Sequence, residues 1–488
     1  MPQAPTPPAG YPQTGPGEAP RSTSSSSPEL VRGLGLWDAT LLVVGLVIGS
    51  AIFLTTGSIA EKLPSPGLIL GVWVVGGFLS LCGSLLYAEL GAANPQAGGQ
   101  YHFLKEAYGD LVAFLYGWTL FIVIQTGMIA ALAVGYADYC AYFLPSLGLQ
   151  SPWVQFTLAG IPFSVSAGQA NAVAAILVLS AVNYLGLRSG TGAQNLFTVL
   201  KVGAILGLVV VGLGWGNGSW SHLSSMGLAR PVSGATAYLA SLVAVLWAFD
   251  GWNNITFTAG EMRDPQRNIP RSLLWGLGII TLCYFALNLL YLYALPVDRI
   301  AGVSRIGEAA LTSLLGPRAA DLLCAAVIIS ILGCTSASIL TAPRVYFAMA
   351  RDGLFFKSVA RVHPKYRVPT TSILFQAVWS SLLVVVPNVT GQGLYEALFT
   401  FAMLANLIFY VATGGAVMIL RRRGTRPLLY RTPGYPWTAW LFIGGITLVL
   451  WDILRARPLT SAYGIGLILL GIPFYLVWKK RGAQAPTG

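Results

Sequence analysis

A helix in a lipid bilayer has no water to satisfy its backbone, so interrupted chain at membrane depth survives only where protein or a water-filled cavity supplies partners. This chain interrupts two apolar stretches with glycine-containing sequence. One reads Val44-Gly45-Leu46-Val47-Ile48-Gly49-Ser50-Ala51-Ile52-Phe53, and the other, in the second half, reads Trp247-Ala248-Phe249-Asp250-Gly251-Trp252-Asn253-Asn254. Paired interruptions at corresponding places in two halves point to the substrate site of a carrier.

Composition agrees with a membrane chain. Of 488 residues, 55% are hydrophobic and 9% charged, with a mean hydropathy of +0.68, whereas soluble chains carry about 25% charged residues. The net charge of +12 would suggest nucleic acid if clustered on a soluble face. Here the basic residues sit in short connectors between apolar runs, so no nucleic-acid partner is expected and the lipid bilayer is. The five cysteines (Cys82, Cys140, Cys283, Cys324, Cys334) are scattered in apolar sequence and read as small buried hydrophobes. The three histidines are far apart, so no metal site and no cofactor are expected. No nucleophile–base set is visible, so the chain does not read as an enzyme.

Residues 1–33 form a cytoplasmic tail expected to be disordered, since residues 1–30 hold eight prolines and five serines. A transmembrane domain follows over 34–478, then a cytoplasmic tail over 479–488. Twelve apolar spans, each near the ~20 residues that cross a bilayer, fall at 37–60, 66–93, 110–145, 170–188, 192–214, 236–260, 271–296, 318–349, 369–388, 394–420, 436–454 and 460–478. Roughly three quarters of the Lys and Arg lie in connectors on the N-terminal side, the bias of cytoplasmic loops. Both termini are therefore expected in the cytoplasm. The interruptions open spans 1–5 and 6–10. Because five is odd, the second set crosses in the opposite sense, giving an inverted repeat of 34–214 and 236–420, with helices 11 and 12 (436–478) outside it.

Gly49 to Phe53, Tyr87-Ala88-Glu89-Leu90-Gly91, Pro95 to Tyr101 (PQAGGQY), Phe249 to Asn253 and Ala350-Arg351-Asp352-Gly353 occur in the order and at the spacing of a known family. With them the chain resembles the amino acid–polyamine–organocation (APC) superfamily, and within it the L-amino-acid transporter (LAT)-like branch. The resemblance implies an all-α membrane protein of 12 transmembrane helices in the LeuT-like 5+5 inverted repeat, with broken helices 1 and 6. It also implies alternating access. Three departures stand out: Ala51 replaces a common glycine, Phe249 replaces a common tyrosine, and 146–169 contains no cysteine. Animal members of the branch use a cysteine there to join a single-pass heavy chain, so no disulfide-linked heavy-chain partner is expected.

The interruptions carry their own chemistry. A helix start exposes N–H groups and a helix end exposes carbonyls, which favour a carboxylate and an ammonium group respectively. Ser50, Ala51 and Ile52 are expected to offer N–H groups, with the Ser50 hydroxyl beside them. Ile48, Trp247, Ala248 and Phe249 are expected to offer carbonyls. The substrate's side chain is expected to meet Trp247, Trp252, Asn253, Gln125 and Asn406; the resemblance makes Trp247 an aromatic gate and Asn406 a pocket residue. The bland alternatives are close helix packing for Gly-Ser-Ala and interhelical hydrogen bonding for Gln125 and Asn406.

Two charged residues lie inside spans, where each is costly. Asp250 either attracts cationic side chains or stays hydrated away from the pocket. For Lys201, the resemblance implies a place beside spans 1 and 8 where sodium-coupled relatives hold a cation, with Ser338 as the neighbouring hydroxyl. Its ammonium then acts as a proton carrier or a fixed brace; the alternative is a lysine snorkelling to the interface. Glu89, Glu261, Arg188 and Arg351 are candidates for an inner gate of ion pairs, or else solvated charge.

The expectation is a secondary transporter of amino acids, with neutral L-amino acids as substrates, working as exchanger or proton-linked carrier in the cell membrane. Cationic amino acids or polyamines are the alternative if Asp250 faces the pocket. A non-transporting membrane amino acid sensor is a further alternative, disfavoured by tails too short for a signalling domain.

Overall fold

The computed structural model describes residues 30–149, 152–158, 161–224, 234–385, 394–424 and 429–483. Most of the expected N-terminal tail and residues 484–488 lie outside them. The chain runs through α1 (Leu36–Val47), α2 (Ala51–Ala60), α3 (Pro66–Ala93), α4 (Gln100–Tyr108), α5 (Asp110–Thr119) and α6 (Gln125–Phe143). After a hairpin come α7 (Ala167–Tyr184), α8 (Leu187–Trp215), α9 (Gly234–Ala248) and α10 (Pro265–Ala294), then two short helices, α11 (Val297–Ile300) and α12 (Ile306–Leu315). The last seven are α13 (Pro317–Thr341), α14 (Pro343–Arg351), α15 (Thr370–Val385), α16 (Leu394–Arg423), α17 (Trp437–Ala456), α18 (Pro458–Leu469) and α19 (Gly471–Ala483).

Helix occurs in every one of the twelve expected spans. Among the described residues, ten helices are long and apolar enough to cross a membrane, or eleven if the bent pair α1–α2 counts as one span. The exception is α15. It is described over Thr370–Val385. Helix α19 continues to Ala483, into the stretch expected as a C-terminal tail.

The fold is not purely helical. An antiparallel hairpin, β1 (Pro152–Leu158) and β2 (Ile161–Ser166), joins α6 to α7. Its signal was in the sequence: Trp153, Val154, Phe156, Phe163 and Val165 are aromatic or β-branched and flanked by polar residues in short runs.

Both interruptions are real breaks. Helices α1 and α2 meet at 44°, separated by Ile48, Gly49 and Ser50. In the second, α9 ends at Ala248 and Gly251 adopts φ 105°, ψ −12°, a left-handed conformation that side chains with a Cβ resist. Beyond it Trp252–Glu261 winds as a 3-10 helix. A third irregularity was not foreseen. Leu120–Ile124 between α5 and α6 forms a π-helix, a distortion frequent at functional sites.

Candidate functional site

The two breaks and the π-helix face one internal cavity. It is lined by Leu46, Val47, Gly49, Ser50 and Ala51 from the first break and by Trp247, Asp250, Gly251 and Asn254 from the second. Opposite them stand Gln125 of α6, Cys334 and Ser338 of α13, and Asn406 of α16. Its volume is about 40 Å³, where one water needs roughly 10–15 Å³, so the site is nearly closed.

Its polar groups are unevenly committed. Among the described residues neither the Ser50 nor the Ser338 hydroxyl makes a hydrogen bond, and Ser50 does not cap α2. Ala51 and Ile52 open α2, and the first N–H groups of a helix have no intrahelical acceptors. The π-helix delivers Gln125 at its end, where Oε1 accepts from Asn254 Nδ2 at 3.0 Å. Asp250 does line the cavity. Its Oδ1, however, accepts from both Asn406 Nδ2 and Tyr410 Oη, each at 2.6 Å. Tyr410 lies one helical turn after Asn406 on α16, so the i, i+4 spacing of two polar residues in an apolar span was the available clue.

Several expected contacts are not at the cavity. Trp252 is packed elsewhere, stacked on Tyr410 at 5.5 Å and edge-on to Tyr87 at 5.0 Å. Asn253 donates to Gln100 Oε1 at 3.1 Å and accepts from Tyr410 Oη at 2.9 Å; its neighbour Asn254 takes the cavity position. The reason is local geometry. After Gly251 the chain follows a tighter 3-10 path, which rotates successive side chains differently from an α-helix. Phe249 packs between Trp73 and Tyr284, and neither it nor Ile52 lines the cavity.

The carbonyls expected to await an ammonium group are largely taken. Tyr284 Oη donates to Val47 O at 3.0 Å and to Ala248 O at 2.8 Å, tying the two breaks together. Trp247 O accepts from Asp250 N at 2.9 Å, and Cys334 Sγ donates to Leu46 O at 2.9 Å. Tyr284 was missed because one hydroxyl in an apolar span carries no distinguishing pattern.

Behind the first break Lys201 is buried. Its Nζ donates to Ile48 O at 2.6 Å, Ser330 O at 3.0 Å and Gly45 O at 3.1 Å. Three acceptors match the three N–H donors of an ammonium group, so the lysine does not snorkel. Ser330, not Ser338, supplies the neighbouring hydroxyl, donating to Ile48 O at 3.0 Å. Ser338 lies eight residues further along α13, about 12 Å at 1.5 Å per residue, and faces the cavity.

Trp247 also borders a second cavity of about 420 Å³ lined by Thr55, Ser58, Lys62, Met403 and Asp452, so it separates that cavity from the central one. The ion pairs differ from the expected set. Glu261 pairs with Arg344 at 2.6 and 2.9 Å, both side chains at most 1% exposed. Glu89 pairs with Arg421 at 2.6 and 2.5 Å and accepts from Thr432 N at 2.7 Å. Arg188 and Arg351 are exposed and join no ion pair among the described residues.

The remaining sequence motifs form a packed layer on the side where α1 begins. Gly99 adopts φ 41° and a Cβ there would stand 2.5 Å from the Thr256 backbone, so only glycine lets this loop press on the 3-10 segment. Gln100 next to it donates to Thr413 Oγ1 at 2.9 Å while accepting from Asn253. Asp352 accepts from Tyr101 Oη and pairs with Lys105, both at 2.8 Å.

Residues 34–455 match the family model described as amino acid permease. The chain belongs to this family, within the APC superfamily. It is similar to the serine/threonine exchanger SteT of Bacillus subtilis (strain 168), 31% identical over 93% of this chain and 98% of that protein. It is also similar to the b(0,+)-type amino acid transporter 1 of Mus musculus, 28% identical over 96% of this chain and 93% of the relative. The large neutral amino acids transporter small subunit 2 of Homo sapiens is 28% identical over 93% of this chain and 82% of its own length. This permease is thus a multi-pass membrane protein whose relatives are named as transporters, not enzymes.

Proposed function

We propose that this permease carries neutral L-amino acids by alternating access, as exchanger or proton-linked carrier, within the 12-helix, LeuT-like 5+5 inverted repeat. It resides in the cell membrane with both termini cytoplasmic and without a disulfide-linked heavy chain, in line with the cysteine-free hairpin segment. The observation that carries the reading is the convergence of both breaks on one cavity where the Ser50 hydroxyl makes no hydrogen bond among the described residues. The substrate carboxylate binds the N–H groups at the start of α2 and the Ser50 hydroxyl. With Val47, Ala248 and Trp247 carbonyls already engaged, the ammonium group is met at the second break around Asp250 and Gly251. Trp247 is the gate toward the larger cavity.

Lys201 is a fixed brace for the first break, a reading supported by its three carbonyl acceptors. Labelled uptake into proteoliposomes tests the function, with a panel of amino acids, with and without internal substrate, and with and without a pH gradient. Retention of label without internal substrate and without a pH response would leave neither coupling mode standing. A second reading, transport of cationic amino acids, is favoured by Asp250 lining the cavity. The two hydrogen bonds on its Oδ1 weigh toward neutral substrates, and arginine or lysine outcompeting leucine in the panel would reverse that order.

A further inference from the structure

A basic cleft lies apart from the central cavity. A cleft of about 590 Å³ opens where α1, α7, α8 and the connector before α15 meet at the ends of membrane-capable helices. Five cations line it from four separate segments: Arg32, Arg188, Arg263, Lys365 and Arg367. None of them is in an ion pair among the described residues. Among the described residues the one acid in the wall, Asp38, is already engaged, with Oδ2 accepting from Gly35 N at 2.9 Å and Oδ1 from Asn195 Nδ2 at 2.7 Å.

Connector bias alone places basic residues on one side of a membrane, but it does not gather them into a concavity. Two further features point to a ligand. Thr191, 9% exposed, lines the cleft with a hydroxyl that has no hydrogen-bond partner. Arg367 is held at φ 56°, a conformation uncommon for a residue with a Cβ. Five unpaired cations and a free hydroxyl donor suit a phosphate-bearing anion.

Beyond the cleft, Leu196, Val199 and Leu200 of α8 are exposed, and only 28% of that helix's most apolar window is buried inside the protein. The cleft thus opens beside a face that the bilayer covers, where a phospholipid headgroup can enter while its acyl chains stay in the hydrocarbon. We propose that the cleft binds the headgroup of an anionic phospholipid, with its acyl chains lying along the exposed face of α8. Arg32 and Arg263 belong to segments that run directly from the two breaks, joined by Gly33 N and Leu34 N donating to Glu261 O at 2.9 and 3.0 Å. The headgroup therefore bridges the breaks to the α7–α8 turn and the 365–367 loop.

The test is native mass spectrometry of the full chain in detergent, titrated with phosphatidylglycerol or phosphatidylcholine, alongside the combined variant Arg188→Gln, Lys365→Gln, Arg367→Gln. Each basic residue near an anionic lipid contributes about fivefold in affinity, so the triple variant should need roughly a hundredfold more phosphatidylglycerol. Lysine at 188 and 367 should restore most of the binding, and all three side chains being exposed, the variant's melting temperature in neutral detergent should match the parent. Equal adduct formation with both lipids, or an unchanged phosphatidylglycerol titration in the variant, overturns the proposal. So does full displacement by excess inorganic phosphate, which would make the cleft a site for a free anion.

Discussion

Replacing Lys201 with alanine removes all three hydrogen bonds that Nζ donates to Gly45, Ile48 and Ser330 carbonyls. Ile48 O keeps the Ser330 hydroxyl, so two acceptors lose a charged donor. A buried polar group left without its partner costs about 1–3 kcal/mol, so two of them place the loss at this junction of α1, α8 and α13 at roughly 2–6 kcal/mol. If that loss falls on the barrier between conformations, turnover drops by about 30- to 25,000-fold, at 1.36 kcal/mol per tenfold.

The cavity wall does not include Lys201, so substrate affinity should change far less than turnover. Counterflow in proteoliposomes gives the rate, and equilibrium binding of labelled substrate gives the affinity. Ser330→Ala alone should be mild, and the double variant should lose less than the sum, since both side chains serve Ile48 O. Uptake should also persist when sodium is replaced by choline, because the ammonium group occupies the junction. Normal turnover in Lys201→Ala, or sodium-dependent uptake by the parent, would refute the brace. A rate that titrates with pH in the parent but not in the variant would instead make Lys201 the proton carrier.

Leucinol and leucinamide, which lack the carboxylate, should compete poorly with leucine for uptake; equal competition would remove Ser50 and the start of α2 as the carboxylate site. Glutamate and aspartate should be transported far more slowly than leucine, since burying an unpaired charge costs several kcal/mol, and comparable rates would reveal a cation in the pocket. Asp250→Asn removes the carboxylate from the break proposed to meet the ammonium group, so it should weaken leucine and arginine uptake alike; unchanged leucine uptake would show that the ammonium group is held elsewhere. Arg344→Met leaves Glu261 as a buried unpaired charge and should cost about 3–5 kcal/mol, read as a lower melting temperature in detergent, whereas an unchanged melting temperature would mean that water reaches the pair.

Spans and breaks were legible because apolar length and glycine placement are backbone properties written locally. The pairing of side chains across the breaks was not. Glu89 and Glu261 were recognisable as charges that need partners, yet their partners, Arg421 and Arg344, lie 332 and 83 residues away and several arginines competed for each. Asn253 and Asn254 are adjacent, and only the left-handed turn at Gly251 decides which one reaches the cavity. The hairpin was not among the expected elements, since short strand signals weigh little beside long apolar runs.

The hydroxyl of Tyr284 gives the two breaks a common fate. It donates to Val47 O at the end of α1 and to Ala248 O at the end of α9, while its ring packs edge-on to Trp73 and Phe249. A substrate drawing on the N–H groups of α2 therefore acts on a first break already tethered to the second. Helix α10, which carries Tyr284, packs against α1 and α3, so a shift of either break is felt by the same helices. Tyr284→Phe keeps the ring packing and deletes only the tether, which isolates the coupling from the fold. In such a variant substrate binding should persist while transport slows, with little change in melting temperature. Loss of binding in parallel with transport would mean that Tyr284 shapes the cavity itself and that the breaks move independently.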